Sequence, residues 1–327
     1  AALRRGYDVL LEKPIAPTFE EVEGLRALAA ELGRKVIVCH VLRYTPFYQT
    51  VKRLLGEGMV GEIVTVNANE GVVPFHQAHS FVRGKWAQAE NSSPMILAKC
   101  CHDMDILRWL VDRPCERVAS FGSLHHFKPS KAPDGAADRC FSCPVTDCLY
   151  DARKYLDEHR HYLGLVWEDY AEADADAITA WLRGGPWERC VYACDNDVVD
   201  HQVLALEFAG GVTATFTMTA FDTGRHIEIF GTTGQLRAGY FFGKQAGADI
   251  LFTDHATGTT ERIELDAEAA GGHGGGDQGL VDALYEEIQK PADAMTTSIE
   301  VSVDSHRMAF AAERSRVEGS VIWMEAE

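Results

Sequence analysis

Long apolar runs are missing from this 327-residue chain. No stretch approaches the roughly 18 to 20 consecutive apolar residues that cross a bilayer, so a membrane span is not expected. A basic excess is missing too: 31 Lys and Arg stand against 49 Asp and Glu, giving a formal charge of -18. The acidic and basic residues are interspersed, which works against binding nucleic acid or an anionic membrane. An even cysteine framework is also lacking. Nine cysteines in a chain this size argue against a secreted disulfide scaffold and for a reducing, cytoplasmic setting. No signal peptide is visible where Ala1 stands in place of a starting methionine. Only Ala1 to Tyr7 precede the first apolar run, too few to build another βα unit, so a chain lacking most of its first domain is expected.

What is present suffices for real cores, since 46% of residues are hydrophobic. The first sixty residues read as strand, helix, strand, helix: Val9 to Leu11, Phe19 to Leu32, Val36 to Val41 and Phe47 to Leu55. Thr18 with Glu21 makes a capping box, Gly33 and Gly56 are helix stops, and Val36-Ile37-Val38 has the all-apolar character of a buried parallel strand. From Glu62 onward the pattern is richer in strands: Ile63 to Val66, Ala177 to Trp181, His201 to Phe208, Val212 to Thr219 and His226 to Phe230. Gly210-Gly211 and Gly231 to Gly234 supply tight turns. Ser93 as N-cap and Pro94 at the first helical position predict an unbroken helix to about Val111. Thr297 and Glu300 predict another to about Val317. The fold class is thus α/β followed by α+β: a remnant of a parallel sheet, then a large, mostly antiparallel open sheet.

Two constellations invite chemistry. Glu12-Lys13-Pro14 closes the first strand, and proline disfavours the helical conformation at Lys13. An ammonium is thereby held at the sheet rim where open α/β sheets bind ligands, although a lone loop lysine is also simply solvated. Lys99, His102 and Asp105 recur every third residue and share one helix face. An imidazole between an amine and a carboxylate can take a hydroxyl proton, or the three can be ordinary helix-end polar groups.

Those motifs, with Arg43-Tyr44-Thr45-Pro46 after the second strand and Gly58-Met-Val-Gly61-Glu62-Ile63 beyond it, resemble the glucose-fructose oxidoreductase, inositol dehydrogenase and rhizopine-catabolism family (Gfo/Idh/MocA). The resemblance implies residues 1–60 as the end of a Rossmann domain and 61–327 as a substrate-binding and oligomerisation domain. The last helix (about 298–317) would pack back on the Rossmann part. It implies NAD or NADP as cofactor, a sugar, sugar acid or cyclitol as substrate, and a homodimer or homotetramer through the second sheet. Lys13, His102, Lys99 and Asp105 would be catalytic. Glu12, Lys13, Pro14, Arg43 and Trp86 would line the cofactor. A ligand-sensing regulator and an NAD-dependent redox glycosidase are the alternatives. Two departures stand out: the Gly-rich dinucleotide loop does not precede the first strand, and Ala98 occupies the family's aspartate position four residues before the histidine.

Three further clusters remain. Cys140-Phe-Ser-Cys143 followed by Cys148 has part of a zinc-ligand spacing, with a fourth ligand open among Cys115, Cys190, Cys194, His125, His126 and His159. Free thiols and an iron-sulfur site are the other readings. Gly271 to Gly276 with His273 and Asp277 leads into a helix and offers backbone amides to a ligand, or is a flexible loop. Asp195 and Asp197, with Tyr44, are candidates for substrate hydroxyls; turn hydrogen bonds are the plainer role for the aspartates.

Overall fold

The structure is a computed structural model that describes residues 1–241, 247–265 and 272–324. Strand β1 (Val9–Leu11) pairs in parallel with β2 (Val36–Val38), and helix α1 (Phe19–Leu32) connects them. Thr18 caps α1 by accepting the Glu21 amide at 3.3 Å, and Gly33 ends it in the left-handed conformation. Strand β2 stops at Val38, short of the expected Val41, because Val41–Tyr44 coil into a 3-10 turn ahead of α2 (Pro46–Gly56).

The second sheet has nine strands. In chain order they are β3 (Ile63–Val72), β4 (Cys115–Ser123), β5 (His201–Phe208), β6 (Val212–Thr219), β7 (Thr223–Gly231), β8 (Gly234–Phe241), β9 (Gly247–Asp254), β10 (Thr260–Ile263) and β11 (Ile322–Trp323). Their spatial order is β10-β9-β8-β7-β3-β6-β5-β4-β11, and every pairing is antiparallel except β3 with β6. Alternation along the strands sends Leu204, Leu206, Phe208, Ala214, Phe216 and Met218 to one buried face. The other face carries a polar ladder, with Thr213 and Thr215 bonded to Thr65 and Asn67. Val64 and the cross-strand pair Phe121 and Val203 are exposed.

Helices cover the apolar face. After α3 (Pro74–His76) the chain runs through a π-helical turn, Gln77–Val82. The expected continuous helix from Pro94 is in fact two: α4 (Met95–Ala98), with Pro94 as its N-cap, and α5 (Cys101–Val111). The break falls at Lys99 and Cys100, where Cys100 takes φ -98°, ψ 8° and Lys99 is drawn to Glu70 on β3 at 3.1 Å. Ala177 to Trp181, expected as a strand, lies in helix α6 (Ala175–Gly184). Asp174 caps it at 2.8 Å, and Ile178 and Leu182, four residues apart, form its buried stripe. Helix α7 (Gly276–Glu287) follows the Gly-rich tract, of which Gly271 lies outside the described residues. Helix α8 (Ile299–Glu318) is capped by Ser298 rather than Thr297, whose carbonyl instead accepts the Val38 amide at 2.7 Å.

Helix α8 touches both sheets' cores. Ile299 and Val303 join Leu3, Ile15, Val22, Ala29, Val36 and Val38, while Met308, Ala309 and Ala312 join the core beneath the nine-stranded sheet. His306 accepts the Ile15 amide through Nε2 at 3.0 Å and so ties α8 to the segment just after Lys13. Among the described residues no helix is long and apolar enough to cross a membrane.

Candidate active site

The end of β1 places Lys13 on a cleft. One lobe, about 300 Å³, is lined by Lys13, His76, His79, Lys85, Trp86 and Lys99 together with His273, apolar residues and backbone. A second lobe of about 520 Å³ shares Lys13, Lys85 and Trp86 and adds Glu12 and Pro14; the Lys13-Pro14 peptide is cis. Lys13, Lys99, Trp86 and His273 therefore meet, although they come from a strand end, a helix break and two loops.

His102 stands just behind this surface. It is 3% exposed, neither ring nitrogen has a hydrogen-bond partner among the described residues, and its ring centroid is 5.8 Å from that of His273. Burial, then the charges of Lys13, His40 and Arg225, hold its pKa well below the usual histidine value, so it is a neutral imidazole at physiological pH. His273 is the exposed member of the pair. Its Nδ1 lies 2.9 and 3.0 Å from the two Asp277 oxygens, an arrangement that fixes one tautomer. Its backbone is left-handed at φ 48°, a conformation uncommon outside glycine. Helix α7 seats this dyad because a Cβ on Gly276 would stand 2.3 Å from the Val41 carbonyl oxygen, so only glycine allows so close an approach.

Asp105 does not serve His102. It is fully buried, and Arg43 grips it with two bonds, Nε to Oδ2 at 2.7 Å and Nη2 to Oδ1 at 2.6 Å. Its nearest imidazole is His40, with Nε2 at 3.8 Å. Arg43 is consequently a buried clamp, also bonded to the Thr296 carbonyl, and not part of the cleft wall expected from sequence. Lys99 enters a charge cluster in which Glu70 bridges Lys99 and Arg225 at 3.1 and 2.9 Å, and Arg225 meets Asp103 at 2.8 Å. Burial, only partly offset by Arg225, raises the Asp103 carboxyl to about 6.

The remaining candidates lie elsewhere. The Tyr44 hydroxyl bonds to Thr297 at 3.1 Å. Asp195 pairs with Arg189 at 2.8 Å on the surface, and Asp197 accepts the Ala89 amide at 2.8 Å, so both aspartates hold loops. Cys140, Cys143 and Cys148 line a small cavity with Cys190, but the Arg83 guanidinium reaches into it, 3.4 Å from Cys140 Sγ. A cation already stands among the sulfurs, and no group of three or more His, Cys, Asp or Glu among the described residues is placed to hold a metal ion. The Gly-rich tract follows an antiparallel strand, β10, unlike a dinucleotide fingerprint.

Sequence reasoning missed His76, His79 and Lys85. The two histidines are three apart in Pro74-Phe-His-Gln-Ala-His-Ser, a spacing that a single helical turn would share, but the segment carries no apolar period to announce a helix, and the π-helical turn found there has no propensity signature.

Comparison with known proteins fits this architecture. The profile described as "Oxidoreductase family, C-terminal alpha/beta domain" matches residues 52–325, and that of the family's NAD-binding Rossmann fold matches residues 1–40. The chain is 24% identical to a Bacillus subtilis protein named as an oxidoreductase, YteT, over 87% of this chain and 68% of that one. It is 30% identical to inositol 2-dehydrogenase 4 of Saccharopolyspora erythraea over 42% of this chain, spanning 37% of that protein. Among solved structures, an oxidoreductase domain protein from Kribbella flavida aligns with TM-score 0.67 and 19% identity, covering 99% of this chain and 76% of that one. The aldose-aldose oxidoreductase of Caulobacter crescentus aligns with TM-score 0.62 and 16% identity, covering 99% and 74%. The chain belongs to the Gfo/Idh/MocA oxidoreductase family.

Proposed function

We propose that this chain carries the substrate half, and the edge of the cofactor half, of an NAD(P)-dependent dehydrogenase acting on a secondary hydroxyl of a sugar or polyol. The observation that carries the reading is the convergence of Lys13, Lys99 and His273 on one cleft with the neutral imidazole of His102 directly behind. The names of two relatives, an inositol 2-dehydrogenase and a 1,5-anhydro-D-fructose reductase, support the substrate class.

The residues present fit the reactive end of a nicotinamide dinucleotide. Lys13 makes no ion pair among the described residues, and the lobe at the carboxyl end of parallel β1 is lined by Glu12, Lys13, Pro14 and Trp86. Those four would hold the nicotinamide end. Bound there, it supplies a hydride acceptor or donor. Lys13 donates to the oxygen on which negative charge develops as the hydroxyl is oxidised, and Lys99, fixed by Glu70, adds a second positive charge. His273 accepts the hydroxyl proton at Nε2 while Asp277 holds Nδ1–H, and His102 backs the pair as an uncharged imidazole.

Full-length protein with NAD+ or NADP+ and a panel of cyclitols, aldoses and sugar acids should show reduced-nicotinamide absorbance. Lys13→Met should remove most of it. Ligand binding with no hydride transfer for any substrate would assign a sensor instead, and glycoside cleavage without net cofactor reduction a redox glycosidase. We also propose self-association through the exposed sheet face at the cross-strand pair Phe121 and Val203, where a second copy would cover the two apolar side chains.

A further inference from the structure

The 300 Å³ lobe has a composition opposite to that of the chain around it. In a protein with 49 acidic and 31 basic residues, the side chains lining it include Lys13, Lys85 and Lys99 and, among the described residues, no carboxylate. Glu70 neutralises Lys99 from below. Lys13 and Lys85 make no such pair among the described residues, and Lys85 Nζ rests 5.1 Å over the Trp86 ring. Two ammonium groups are thus left facing the space a substrate would fill.

His79 stands beside them, 1% exposed and with no hydrogen-bond partner for Nε2 among the described residues. Its Nδ1 lies 2.7 Å from the Tyr155 hydroxyl. In the tautomer that accepts the Tyr155 proton at Nδ1, His79 carries its own proton on Nε2. Beside the histidines and Ser80, the charged groups the lobe offers are therefore ammonium donors, Lys13 Nζ and Lys85 Nζ, with Lys99 already paired to Glu70. A neutral polyol can accept from these donors but leaves their charge uncompensated; a carboxylate presents acceptors only and carries the opposite charge. No arginine fork lines the lobe, and arginine is the residue suited to two-point recognition of phosphate.

Resting on the dehydrogenase reading above, we propose that the substrate is a sugar acid whose carboxylate is held by Lys85 and His79 while the carbon to be oxidised lies at Lys13. Calorimetry on the full-length protein with matched pairs, D-galacturonate against D-galactose and D-glucuronate against D-glucose, tests it. One acid should bind about tenfold or more tighter than its neutral partner, as expected for a hydrogen bond to a charged group. Lys85→Met should cost the acid about tenfold more than the neutral sugar, with added salt acting in the same direction. Equal or tighter binding of the neutral sugars, equal losses in Lys85→Met, or binding of no acid would each overturn the proposal. Tighter binding of D-galactose 6-phosphate than of D-galacturonate would also do so, by assigning the site to phosphate. Hydride transfer read in parallel separates the two ideas. Acid binding without cofactor reduction sinks the dehydrogenase reading alone, and oxidation confined to neutral sugars sinks the acid alone.

Discussion

At the scale of single residues, the buried Arg43–Asp105 pair and the cleft lysine respond to mutation in different ways. Arg43→Met leaves the Asp105 carboxylate buried beside a neutral His40, so it should lower unfolding free energy by about 3–5 kcal/mol in urea titrations. Lys13→Met faces the cleft and should leave the urea midpoint nearly unchanged while lowering kcat about 10²- to 10³-fold, the range for losing one donor to a developing oxyanion. His273→Asn should cost about 10²-fold in kcat at neutral pH in steady-state kinetics, because the proton acceptor is gone while Asp277 stays. If His102→Asn shows that loss and His273→Asn does not, the order of the two imidazoles is the reverse of that proposed. Lys13 was legible because a proline after a strand end is a local signal. The partner of Asp105 was not: Arg43 lies 62 positions away, and only the packing of the 3-10 turn against α5 brings it there. Spacing put Asp105 on the helix face of His102 without saying what each would touch.

At the scale of elements, glycine positions α7. Gly276→Ala would drive a methyl into the Val41 carbonyl, so α7 must shift, and His273 and Asp277 shift with it. Substrate KM should rise about tenfold or more while the stability loss stays within about 1–3 kcal/mol, the usual cost of overpacking. Steady-state kinetics beside thermal melts check the split. Elements with a strong period were readable from sequence, as α1 with its Thr18 cap and the alternating β5 and β6 show. Helix α6 was misread because Ala-Ile-Thr-Ala-Trp favours a strand over five residues, and only the Asp174 cap and the four-residue step from Ile178 to Leu182 reveal the helix. The break at Lys99 follows from its attraction to Glu70, a contact no local window contains.

At the scale of the molecule, neutral histidines buried near the cleft set a pH response. Burial depresses His40 to about 3 and His79 to about 4, and holds His76 and His102 well below 6.5. Unfolded, each takes up a proton near 6.5; folded, each refuses it. Stability from these groups is therefore full above about pH 6.5 and falls as pH drops, each histidine adding a slope approaching ~1.4 kcal/mol per pH unit until its folded pKa is reached. Urea midpoints at neutral pH and near pH 5 should differ clearly, and His40→Gln should reduce that difference. The proposed self-association predicts that Phe121→Glu sediments as a smaller species than the unsubstituted chain, since a charge beside the exposed Val203 opposes a second copy.

Helix α8 also dictates an order of events during synthesis. The β1–β2 pair takes the Thr297 carbonyl at Val38, the His306 imidazole at Ile15 and the side chains of Ile299 and Val303 from the far end of the chain. Strands β1 and β2 leave the ribosome well before α8, so the apolar surface that Ile299 and Val303 cover stays open in the meantime. Nascent chains halted before Ile299 should leave residues 9–38 sensitive to protease, and chains extended past Glu318 should protect them.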